Sequence, residues 1–116
     1  MPGTKELLSR TSKHTEQALS AADIAAYLGA VPGWELAGNR ITKTYQFKNY
    51  YETMAFMNAI AYTIHAEDHH PEITLTYNKC VIQFDTHSVN GGKGGLSEND
   101  FICAAKVDAI FQHTFS

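Results

Sequence analysis

The run from Glu72 to Asp85 restricts the possible folds of this chain more than any other stretch. Apolar residues alternate with polar ones on both sides of Asn78-Lys79, and alternation at a period of two marks a strand with one face buried. With Asn78-Lys79 as a two-residue turn, Tyr77 stands opposite Cys80, Leu75 opposite Ile82 and Ile73 opposite Phe84, which gathers the apolar residues on one face. The other face pairs Thr74 with Gln83 and Glu72 with Asp85, the latter a locally unfavourable carboxylate pair. Carried to the open end of the hairpin, this register sets His70 opposite His87. Strand pairing alone then makes neighbours of two histidines distant in sequence.

A second hairpin precedes it. Trp34 to Ala37 and Arg40 to Phe47 are short strand-like runs separated by Gly38-Asn39, with Ile41, Tyr45 and Phe47 on one face. Three helices have readable starts. Ser20 caps the first, with Asp23 three residues on and a Leu19 to Ile24 staple, and this helix ends at Gly29. Asn49, with Glu52, caps a second that carries Tyr50, Met54, Met57, Ala61 and Ile64 at helical spacing, widened by Phe56 and Ile60. Ser97 and Asp100 form a capping box for the third, where Leu96 and Phe101 make the staple and Cys103, Val107 and Ile110 point inward. The order α-β-β-α-β-β-α predicts an α+β fold, a four-stranded antiparallel sheet with three helices packed on one face. Residues 1–18 are polar and weakly patterned and read as an extended or loosely docked leader, leaving 19–116 as a single domain.

Chemistry concentrates where the second helix meets the second hairpin. His65, Glu67, Asp68, His69 and His70 fall together, and the register adds His87. Imidazole titrates nearest neutrality, so clustered histidines beside carboxylates suit proton transfer in both directions. A metal site built from His65, His69, His70 and His87 is the weaker reading, because Pro71 disfavours helical geometry at His70 and no cysteine joins the set. Asp100 either positions a catalytic group or serves only as a cap. The run Gly91-Gly92-Lys93-Gly94-Gly95 lacks the spacing of a phosphate-binding P-loop.

The string Asp68-His69-His70-Pro71, with Tyr77-Asn78, Thr86-His87, Gly95-Leu96-Ser97 and Asp100, resembles the signature of pterin-4a-carbinolamine dehydratases over most of residues 19–111. The resemblance implies His69, His70 and His87 as active-site histidines. Asp68, Pro71, Asp85, Thr86 and Ser88 would line the pterin pocket with them, and His65, Glu67 and Asp100 would support it. It implies elimination of water from a 4a-hydroxytetrahydropterin to give a quinonoid dihydropterin, serving aromatic amino-acid hydroxylation without a metal or an organic cofactor. It further implies a homodimer or homotetramer and a functional link to an aromatic amino-acid hydroxylase. The same family includes a dimerisation cofactor of homeodomain transcription factors, so a non-catalytic protein-binding module on this scaffold is the alternative.

Bulk properties agree with a small single domain. The 116 residues and 44% hydrophobic content support one modest core. A net charge of -3 argues against direct nucleic-acid binding, which needs clustered cations. Cys80 and Cys103 are too few and too far apart for a zinc site or disulfide scaffold, and read as reduced, buried thiols. No stretch has the roughly 20 apolar residues that span a membrane, nor does the amino terminus read as a secretory signal, so a cytoplasmic protein is expected.

Overall fold

A computed structural model describes residues 2–115. The chain forms α1 (Thr4–Leu8), α2 (Ala21–Leu28), β1 (Glu35–Ala37), β2 (Arg40–Gln46), α3 (Tyr50–Glu67), β3 (Glu72–Leu75), β4 (Lys79–Phe84), a short 3-10 turn at Asn90–Gly92 and α4 (Glu98–Thr114). The four strands make one antiparallel sheet in the order β1-β2-β4-β3. Both hairpins therefore bring their second strand to the centre. Gly38, at φ +63°, supplies the left-handed residue of the first turn, and Ala37 pairs with Arg40 across it as the sequence predicts.

One face of the sheet is apolar. Ile41, Tyr45, Cys80, Ile82 and Phe84 are buried there against Phe56 and Ile60 of α3 and Phe101, Ile102 and Val107 of α4. Lys43 shares this face and reaches out to Asp108 of α4, with Nζ 2.9 Å from Oδ1. Asp108 also accepts from Trp34 Nε1 at 3.1 Å and from the Tyr45 hydroxyl. Burial, reinforced by the Asp108 charge, pushes the Tyr45 phenol far up, so it is protonated at any working pH. Both cysteines are free and buried, and burial raises Cys80 to about 11 and Cys103 to about 12.

The helix starts are as predicted. Ser20 accepts from Asp23 N at 3.1 Å, Asn49 from Glu52 N at 2.8 Å, and Ser97 completes its box with Asp100. On α3, however, the buried stripe is Thr53, Phe56 and Ile60, with Met57 and Ile64 at its margin, while Tyr50 and Ala61 are exposed. The residues expected to widen the stripe form its centre.

Two expectations are corrected. The β3–β4 register is shifted by two positions: Leu75 pairs with Cys80, Ile73 with Ile82 and Glu72 with Gln83. The turn is Tyr77-Asn78, closed by Thr76 N donating to Lys79 O at 2.9 Å. It is held from outside the hairpin, because Thr53 Oγ1 donates to Tyr77 O at 3.0 Å and Phe47 N donates to Asn78 O at 2.8 Å. A two-residue slip preserves which side chains face the core, so alternation alone does not distinguish the two registers. It does abolish the Glu72–Asp85 pairing, and Arg40 instead contacts Glu72, Gln83 and Asp85 together. It also removes the direct pairing of His70 with His87. Second, residues 2–18 of the expected 1–18 leader are not extended or loose. They include α1, whose Leu7 is fully buried in the core, and a segment hydrogen-bonded to α3 and α4.

Candidate active site

The end of α3 sets up the site. Asp68, its C-cap, adopts a left-handed conformation (φ 49°, ψ 43°), tolerated by a short polar side chain, and this reverses the chain just before His69 and His70. The segment after β4 carries Asp85, Thr86, His87 and Ser88, and Thr86 bridges to Gly95. The first turn of α4 adds Asn99 and Asp100. These elements enclose a polar cleft of about 430 Å³ whose lining includes Asp68, His69, His70, Asp85, Thr86, His87, Ser88 and Glu67. The three histidines singled out from the sequence thus border one cavity.

Their settings differ sharply. His69 is held on two sides. Its Nε2 lies 2.6 Å from Asp100 Oδ1, and its ring stacks on Phe84 at 5.9 Å between centroids and 6° between planes. Its side chain is only 12% exposed. Asp100 is fully buried, and its other oxygen accepts from Ser97 N at 2.9 Å and Thr86 Oγ1 at 2.8 Å. A helix amino terminus and two donors on one oxygen suit a carboxylate that accepts on both sides. With Asp100 as the acceptor, His69 Nε2 is the donor, and a neutral ring would then carry its lone pair on Nδ1. Asp100 caps α4 through Oδ2 and meets His69 through Oδ1.

His70 and His87 are open to solvent, their side chains 68% and 84% exposed. His70 Nε2 is 4.0 Å from Asp68 Oδ1, and His87 Nε2 is 3.8 Å from Asp85 Oδ1, whose second oxygen lies 3.5 Å from Arg40 Nε. Glu67 faces the cleft but is paired with Lys106 Nζ at 2.7 Å and accepts from Ser12 N at 2.7 Å. Burial pushes the Glu67 carboxyl up, but Lys106 and Ser12 more than offset this and hold it below the ordinary glutamate range. His65, exposed in the last turn of α3, and Pro71 stand outside the cleft lining. Among the described residues, no three His, Cys, Asp or Glu side chains gather as a metal-holding group.

Sequence reasoning missed five lining residues: Ser12, Lys13, His14, Thr15 and Asn99. It also missed Phe84 as the platform for His69. The Leu7-Leu8 pair in an otherwise polar segment was the available signal that the amino terminus packs against the core.

The fold and cleft together define a single-sheet α+β protein whose polar cavity is bordered by imidazoles. Comparison with known proteins narrows this further. The family described as Pterin 4 alpha carbinolamine dehydratase matches residues 17–110. A protein of Bdellovibrio bacteriovorus named as a pterin-4-alpha-carbinolamine dehydratase is 53% identical over 116 residues, covering 100% of this chain and 97% of its own. One from Nitrosospira multiformis with the same name is 53% identical over 94 residues, covering 81% of this chain and 80% of its own. A crystal structure described as a transcriptional coactivator/pterin dehydratase from Brucella melitensis superposes with a TM-score of 0.73 at 30% identity, covering 81% of this chain and 98% of that one. The chain belongs to the pterin-4-alpha-carbinolamine dehydratases, a family of enzymes.

Proposed function

We propose that this protein eliminates water from a 4a-hydroxytetrahydropterin to give a quinonoid dihydropterin, using His69 and His87 as the acid-base pair. The elimination needs two proton movements: one group protonates the departing hydroxyl while another removes the proton from the neighbouring ring nitrogen. His69 suits the base, because Asp100 and Phe84 fix its ring and leave Nδ1 free to accept. His87 suits the acid, because its exposed ring exchanges protons with solvent between turnovers. His70 and Asp68 orient the substrate, and Asp85, Thr86 and Ser88 complete its pocket. The buried His69–Asp100 contact is the observation that carries this reading.

The enzyme works as a homodimer or homotetramer in the cytoplasm, recycling pterin for an aromatic amino-acid hydroxylase, with no metal or organic cofactor. Stopped-flow measurement of dehydration of freshly generated 4a-hydroxytetrahydropterin tests the reading, and a rate no greater than the buffer-catalysed background overturns it. That result would favour the second reading, a protein-binding module, for which the coactivator description of the Brucella melitensis relative speaks.

A further inference from the structure

The family match begins at residue 17, yet four residues ahead of it, Ser12 to Thr15, form part of the cleft wall. This segment is fastened at both ends and along its length. Upstream, Leu7 is fully buried in the core, Thr4 Oγ1 donates to Ala30 O at 2.6 Å, and Arg10 pairs with Glu98 at 2.6 Å. Along the wall, Ser12 N donates to Glu67 Oε1 at 2.7 Å, and the Ser12 hydroxyl donates to Glu67 O. The Asn99 carboxamide brackets Lys13: its Oδ1 accepts from Lys13 N at 3.1 Å and its Nδ2 donates to Lys13 O at 2.6 Å. Downstream, Ser88 Oγ donates to Thr15 O.

The anchors Glu67, Ser88 and Asn99 come from three separate elements: the end of α3, the segment after β4 and the first turn of α4. Each stands within two residues of a proposed acid-base group or its positioner: Glu67 near His69, Ser88 beside His87, Asn99 beside Asp100. A peptide tied to all three elements moves with the site rather than with solvent. A flat bicyclic ring gains contact area when held from more than one side, and contact that is equal in the ground and transition states lowers KM without changing kcat.

We propose that residues 12–15 are a strap that contacts the bound reduced pterin, with Asn99 as the positioning residue that holds the strap in place. The proposal rests on the pterin reading above. It assigns substrate binding, not proton transfer, to the amino-terminal segment. Losing the strap therefore raises KM and spares kcat.

Two measurements test it. Asn99→Ala removes both bonds to Lys13, and it should raise KM by about tenfold with kcat within about twofold of wild type, a split that general loosening of the fold does not produce. Because this variant could fail to fold, wild-type hydrogen exchange is measured with and without saturating dihydrobiopterin. Ligand should slow exchange in peptides spanning residues 10–16 as well as in those carrying His69, His70 and His87. Protection of the histidine segments without protection of 10–16, or an unchanged KM in a folded Asn99→Ala protein, overturns the strap and leaves the pterin reading intact. A wild type that neither dehydrates nor binds the pterin overturns that reading and the strap with it.

Discussion

Replacing Asp100 with asparagine separates the role of this group in orienting His69 from its role in holding α4. The carboxylate is fully buried and accepts three hydrogen bonds, one from His69 on Oδ1 and two, from Ser97 N and Thr86, on Oδ2. Asparagine keeps the shape but has one oxygen and one NH2. Two of the three donors lie on the Oδ2 side, so the amide oxygen settles there and the NH2 turns toward His69. The imidazole must then accept at Nε2 and carry its proton on Nδ1, the nitrogen assigned to receive the substrate proton. General-base catalysis is worth roughly a hundredfold to ten-thousandfold, so kcat should fall at least a hundredfold, about 3 kcal/mol of barrier. Stability should suffer less. Three charge-assisted bonds become neutral and a helix amino terminus loses its anion, offset by removal of a buried charge, for a net cost of about 1–2 kcal/mol. Stopped-flow dehydration gives kcat, urea unfolding gives the stability change, and long-range proton–nitrogen NMR correlations give the tautomer. A folded variant with the flipped tautomer and kcat within about threefold of wild type would refute the assignment of Nδ1 as base.

Four further outcomes follow from other contacts. Leu7→Ala should cost about 2–4 kcal/mol in urea unfolding, because it empties a fully buried site, whereas an undocked leader would give no change. Lys106→Met leaves the nearly buried Glu67 carboxylate without its cation and should cost about 2–4 kcal/mol at neutral pH by the same assay. Since Glu67 titrates below its unfolded value, its contribution is present above the ordinary glutamate range and lost as pH falls through the lowered folded value. Glu67→Gln should accordingly flatten the acid side of the stability profile, and an unchanged acid limb would contradict the pairing. Tyr45→Phe, which strips one donor from Asp108, should lower stability by about 1–2 kcal/mol in thermal or urea unfolding and leave dehydration unchanged.

Much of this architecture is legible in the residues, and the misses have physical causes. Capping residues act locally, so Ser20, Asn49 and Ser97 announce their helices from sequence alone. The β3–β4 register does not, because slipping by two residues returns every side chain to the same face. What decides it is tertiary: Thr53 and Phe47 clasp the Tyr77-Asn78 turn from α3 and from the end of β2. His69, His70 and His87 border one cleft without direct pairing of His70 with His87, since the convergence rests on the Asp68 reversal and the Thr86 bridge to Gly95 as well as on the sheet. The amino-terminal strap was invisible for the opposite reason. Apart from the Ser12 hydroxyl, its bonds to Glu67, Ser88 and Asn99 run from backbone atoms, and backbone atoms carry no sequence signal.

The most direct test of the whole account is the dehydration rate of a His69→Ala, His87→Ala double variant whose circular dichroism and unfolding show it to be folded. Both imidazoles border the same cleft, and Asp100 keeps its other two donors without His69, so the account predicts a folded protein whose rate has fallen to that of buffer alone. Turnover equal to that of the wild type would contradict it.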